Sequence, residues 1–342
     1  MGILDWFKNR PAQFDPERVS DEMLRAAVDK AITLTNPRLR LLPNCHKRLT
    51  PAVATTIEFL RTLVLALPAA RPLSSSAWAS DPALRAFFVA PSDIPAMLGR
   101  SDNLRTLFDK FPELDEACLV LGMDLKEQRV FGMALHGGMV QRDVAQTTVG
   151  FSDHRARFCG ADESRLRRVV GVGVSEYLLA HALSEIGEER VERQELQASR
   201  SLTRARLRLL KQHGPGLGSM FGEAPAAQSE QAKLEAELLE NERQLAAIGS
   251  GESVLEAELE CLESVLDNPQ RYLHVEQRHL RLSPLNVVLD EASSDAAADV
   301  DFSLAELSGS PPMRRAFVLA RVARSDLPPP KKVNFADAGR YL

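Results

Sequence analysis

Residues 234–266 repeat in a pattern that few folds can accommodate. Leu234, Asn241, Ile248, Leu255 and Leu262 form one stripe, and Leu238, Leu245, Glu252, Leu259 and Leu266 form a second. Steps of four and three alternate throughout, the spacing of a helix that buries a narrow strip against another helix. Eight of the ten positions are aliphatic, so the sequence predicts one long, unbroken helical arm.

The preceding segment offers a partner for it. Leu179, Ala182, Ile186, Glu189, Arg193, Leu196, Arg200, Thr203, Leu207 and Leu210 share a weaker seam, apolar at both ends and polar in the middle. Residues 199–211 hold Arg200, Arg204, Arg206, Arg208 and Lys211 without an acid. Residues 230–242 hold Glu230, Glu235, Glu237, Glu240 and Glu242 against Lys233 alone. An antiparallel hairpin turning near residue 220 sets these blocks side by side. Each exposed pair adds little, but together they select orientation. Asn241 is expected to fix the register against Thr203 or Arg204. The connecting loop GPGLGSMFGEAP presents Leu217, Met220 and Phe221. These either dock a partner protein or fold back to cap the paired helices.

Strand patterns flank the arm on both sides. Cys118–Met123 and Arg129–Leu135 read as a hairpin around a polar turn at 124–128, with a second turn at His136-Gly137-Gly138 leading into Met139–Val149. After the arm, Tyr272–Ser283, Leu285–Leu289, Val300–Leu307 and Arg315–Ala323 read as strands. Residues 162–175 fit either a valine-rich strand or a helix with Gly171 and Gly173 inside it, and the helical face is the better match. Upstream, Ser20, Thr50-Pro51 and Asp81-Pro82 signal helix starts. The expected fold is therefore α+β. A helical domain (15–115) precedes an antiparallel β domain in two halves (116–161 and 269–326). A coiled-coil hairpin (162–268, tip 213–228) interrupts the β domain. An amphipathic segment (1–14) leads the chain, and a Pro-rich, basic tail (327–342) ends it.

A net charge of −5 and 6% aromatic content argue against a general nucleic-acid binder. The Arg block at 200–208 is the local exception, and the acidic second arm competes with phosphate for it. Cys45, Cys118, Cys159 and Cys261 lie far apart without metal-ligand spacing, as expected of free thiols in a reducing compartment. The opening MGILDWFKNR lacks a basic n-region and a long apolar run, so no secretory leader is expected. The apolar stretch 52–67 carries Glu58 and Arg61 and reads as a buried core helix rather than a membrane span.

Chemical motifs are sparse. His136-Gly137-Gly138 has no GxSxG nucleophile elbow to serve, and Gly171-Val172-Gly173 lacks the rest of a dinucleotide fingerprint. His274 and Glu276 would share one strand face, with His279 on the other, so no metal site is expected there. No cofactor is implied, and no catalytic residue can be named. Ile3, Leu4, Trp6 and Phe7 beside Lys8 and Arg10 suit a weak membrane-surface anchor or a helix docked on the chain's own helical domain. The sequence thus favours a non-enzymatic cytoplasmic adaptor or scaffold that offers a coiled-coil arm to a protein partner, or self-associates through it. Peripheral attachment to the inner face of a membrane is the alternative, and nucleic-acid binding through 200–208 ranks below both.

Overall fold

The computed structural model describes residues 20–136, 139–212, 224–248, 252–290, 296–309 and 311–329. Helices and a largely antiparallel sheet form two compact units, Met1–Ile57 with Glu176–Pro269 and Glu58–Ser175 with Gln270–Leu342. The helical segment expected as one domain over 15–115 is divided between them. The first division falls inside the helix α2 (Cys45–Ala66), and α1 (Asp21–Thr35) precedes it. Ser20 caps α1 by accepting from the Met23 amide, as its sequence signals. Thr50-Pro51, by contrast, does not start a helix, because α2 begins one and a half turns earlier and runs through the proline. Cys45 and Leu49 are buried in that extra turn, and Arg48 is ion-paired to Glu256 and Glu263. Tertiary contacts there outweigh the local start signal. Only one stripe of α2 is buried; Leu65 is 63% exposed, so the helix is not the wholly buried core element expected.

In the sheet unit, β1 (Arg71–Pro72) runs parallel beside β6 (Met313–Ala323). The main path is β3-β2-β6-β5-β4, with β2 at Glu116–His136, β3 at Met139–Gly160, β4 at Leu273–Leu282 and β5 at Ala298–Leu307. The stretch at 285–289 is not a strand of its own. It bridges the two edge strands: Val149 N donates to Asn286 O, Val288 N to Thr147 O and Leu289 N to Arg281 O, each at 2.8 Å. The sheet thereby closes on itself and leaves fewer unpaired edge groups. Its interior holds Phe87, Phe151 and Phe302 in successive edge-to-face contacts at 4.8 and 5.4 Å. The short helices α3 (Ser75–Ser80), α4 (Pro82–Phe87), α5 (Asp93–Leu98) and α6 (Asp102–Lys110) add Phe88, Leu104 and Phe108 to the same core. Their N-caps Ser74, Asp81 and Ser101 accept from the amides of Ala77, Ala83 and Leu104.

Residues 124–128 are not a turn either. They pair in register with 148–152 as β2 continues without interruption. Their polarity marks where the strand leaves the core: Met123 is fully buried, whereas 126–130 are exposed. The two strands remain paired as far as His136 opposite Met139.

Residues 163–175 are helical, opening the 50-residue α7 (Glu163–Gln212). Leu166 and Val170 pack with Val64, Leu67, Cys118 and Leu319 on the outside of the sheet. The Arg167 guanidinium donates to the carbonyls of Val64, Leu67 and Pro68, satisfying acceptors that the end of α2 leaves open. Glu163 holds that guanidinium and also accepts from the Ala70 amide. Gly173, a cost to helix propensity, has a packing reason. A Cβ there would lie 2.5 Å from the ring of Phe158.

Candidate functional site

In the helical unit, α7 from Glu176 onward runs beside α8 (Ala224–Ile248) and α9 (Glu252–Asp267). Residue 185 bonds to 261, 190 to 258, 199 to 241 and 203 to 237, so numbers fall on one side as they rise on the other. The helices are antiparallel. α8 and α9 carry the seam expected over 234–266, and residues 249–251 between them lie outside the described residues. Leu234, Leu259, Leu262 and Leu266 are buried, and Leu238, Leu245 and Leu255 are half-buried, as the heptad spacing requires.

Near α1 and α2 this seam is apolar around one buried ionic cluster. Ala182, Ile186, Leu259, Leu262 and Val265 are fully buried. Among them Glu258, with only 5% of its side chain exposed, accepts from Arg190 Nε at 2.7 Å and from the Asn36 side chain. Burial alone would raise the Glu258 pKa, but Arg190, Asn36 and the charge of Arg193 outweigh it and hold the carboxyl below its usual range. Glu258 in turn raises the pKa of Arg190. Thr56 donates to Leu266 O, tying α2 to the end of α9.

Farther along, polar contacts set the pairing. Asn241 is buried and donates to Ser199 Oγ at 3.0 Å. Thr203 is also buried, and its hydroxyl donates to Glu237 at 3.0 Å. That bond occupies Thr203, and Asn241 therefore meets Ser199 rather than the expected Thr203 or Arg204. Arg204 binds Glu242 at 2.5 Å, and Arg200 lies 3.9 Å from the same carboxylate. The basic block is thus met by the acidic helix.

The outward side of α7 carries a second seam that the sequence reading missed. Val191, Glu195, Ala198, Leu202, Ala205 and Leu209 are spaced by alternating steps of four and three after the first, and every one is exposed. Val191, Leu202 and Leu209 are each more than half exposed. These positions lie two residues from the inner seam, roughly 200° around the helix. Small alanines between the large residues hid the repeat.

Leu217, Met220 and Phe221, the expected partner contacts, lie outside the described residues. So do Ile3, Leu4, Trp6 and Phe7.

Reactive chemistry finds little support among the described residues. Burial pushes the thiol of Cys159 up to about 11, and burial with the Glu185 carboxylate pushes Cys261 up to about 12. Burial also raises Cys45 and Cys118, so all four thiols stay protonated near neutrality. His154 stacks on Phe88 at 4.4 Å and donates to Phe87 O; burial lowers its pKa and keeps it a neutral core histidine. His279 bonds the Asp301 carboxylate at 2.6 Å, and no group of His, Cys, Asp or Glu among the described residues is placed to hold a metal ion. In the sheet unit, a cleft of about 260 Å³ between α4 and the end of β4 offers Arg85 as its sole ionisable lining group among the described residues. By length and hydropathy alone, Cys45–Ala66 and Glu163–Leu209 would suffice to cross a membrane, yet both include ion-paired residues such as Arg48 and Arg190. Comparison with protein-family models, curated proteins and solved structures found no match to this chain.

Proposed function

We propose that the chain is a non-enzymatic cytoplasmic adaptor or scaffold whose α7 with α8 and α9 forms an antiparallel coiled-coil hairpin recognised by a partner protein. The observation that carries this reading is the buried Asn241–Ser199 contact. A polar residue in a seam sacrifices stability for one defined register. Such definition has value where the end of an arm must be held in place. The residues the sequence assigns to that end are Leu217, Met220 and Phe221.

Arg200 and Arg204 already face Glu242, which weakens the case for phosphate binding along the Arg block. Replacing residues 213–228 with a short Gly-Ser turn tests the reading. Helix content is expected to fall only by the residues removed, and capture of the partner from cell extract is expected to be lost. Capture equal to that of the intact chain would remove the tip as the contact.

A further inference from the structure

The outer seam of α7 meets the requirements of a symmetric interface. A helix of a two-helix arm ordinarily turns a polar face to water. Here Val191, Ala198, Leu202, Ala205 and Leu209 lie exposed on one line about 27 Å long. The residues beside that line are polarised along it. Glu188, Glu192 and Glu195 lie beside its start, where Arg190 is engaged by Glu258, and Arg206 and Arg208 lie beside its end.

We infer that this seam docks a second copy of the chain, α7 against α7 in antiparallel orientation about a two-fold axis near residue 200. The axis places Val191 opposite Leu209 of the second copy and Ala198 opposite its Leu202. Glu195 falls opposite Ala205. Leu202 then meets Ala198 and Glu195 meets Ala205, large against small, while Val191 and Leu209 form an apolar contact at each end, and each contact occurs twice as an isologous interface requires. Glu192 and Glu195 of one copy come beside Arg206 of the other, at both ends. A parallel pairing would set acid against acid and base against base, at a cost for each pair. Charge and size therefore select the same orientation. The product is a four-helix arrangement of two hairpins, with the inner seams unchanged. The inference concerns the side of the arm and not its tip, so it stands or falls apart from the proposed function.

Analytical ultracentrifugation of the full-length protein over a rising concentration series tests it. A monomer–dimer equilibrium is expected, weak for so short an overlap. Leu202→Glu is expected to weaken association at least roughly tenfold with unchanged circular dichroism. Arg206→Glu is expected to weaken it too, because acid then meets acid at both ends. Adding Glu192→Arg and Glu195→Arg to that chain is expected to restore dimerisation, since the reversed charges again complement each other across the axis. A monomer at every concentration would overturn the inference. So would a dimer indifferent to Leu202→Glu, or a charge reversal at Arg206, Glu192 and Glu195 together that fails to restore association while the chain stays folded. Binding of a foreign helical partner by the seam of a strictly monomeric chain would overturn it as well.

Discussion

The two ends of the α7 pairing are built on different terms. Near α1 and α2 the contact is broad and dry: Ile186, Leu259 and Leu262 are fully buried, and the ionised Glu258 is enclosed with Arg190 and Asn36. Farther out, between 196–209 and 234–245, Leu207 and Leu234 are buried beside an amide, two hydroxyls and exposed ion pairs. The first end supplies most of the stability through burial. The second supplies register, because polar groups with few allowed partners discriminate between neighbouring alignments better than aliphatic ones do. One helix is thus held by apolar burial at one end and aligned by polar contacts at the other.

The largest effect that can challenge this contrast lies at Glu258. Its replacement in Glu258→Ala leaves the buried Asn36 amide without its acceptor and the part-exposed Arg190 without its ion pair, and about 1–3 kcal/mol of stability should be lost in urea denaturation. The same carboxylate makes stability depend on pH. Its folded pKa lies below its unfolded value, so its contribution is complete above the ordinary glutamate range and disappears as pH falls through the depressed folded value. Wild-type stability should therefore fall more steeply than that of Glu258→Gln on acidification. Equal slopes would show that Glu258 is not ion-paired as described.

Asn241→Leu should act in the opposite direction. Leucine in a seam position buries more apolar surface, and stability should rise by about 1 kcal/mol while the register is less strictly defined. A fall in stability would mean that Asn241 is a structural necessity and not a register device. Smallest of all, Arg204→Ala should change stability by no more than about 0.5–1 kcal/mol, since both it and Glu242 are well exposed.

Much of this was legible in the chain. Alternating steps of four and three revealed the inner seam, and opposed charge blocks indicated antiparallel pairing. Other features were concealed by physical causes. Asp124–Gln128 carries the polarity of a turn because β2 leaves the core there, and a polar strand and a polar turn look alike without their partner. Pro51 resembled a helix start because the contacts of Arg48 with Glu256 and Glu263 lie more than 200 residues away in sequence. Glu258 is unremarkable among the many glutamates of its helix until Asn36 and Arg190 surround it. Gly173 counted against a helix because the ring of Phe158 that requires it comes from the preceding strand.

Cross-linking tests the register of the helix pair most directly. Full-length protein carrying Ser199→Cys and Asn241→Cys should close an intramolecular disulfide quickly under mild oxidation. Ser199→Cys with Lys233→Cys, two turns out of register, should not. Equal closure of both pairs, or closure of the second alone, would contradict the account.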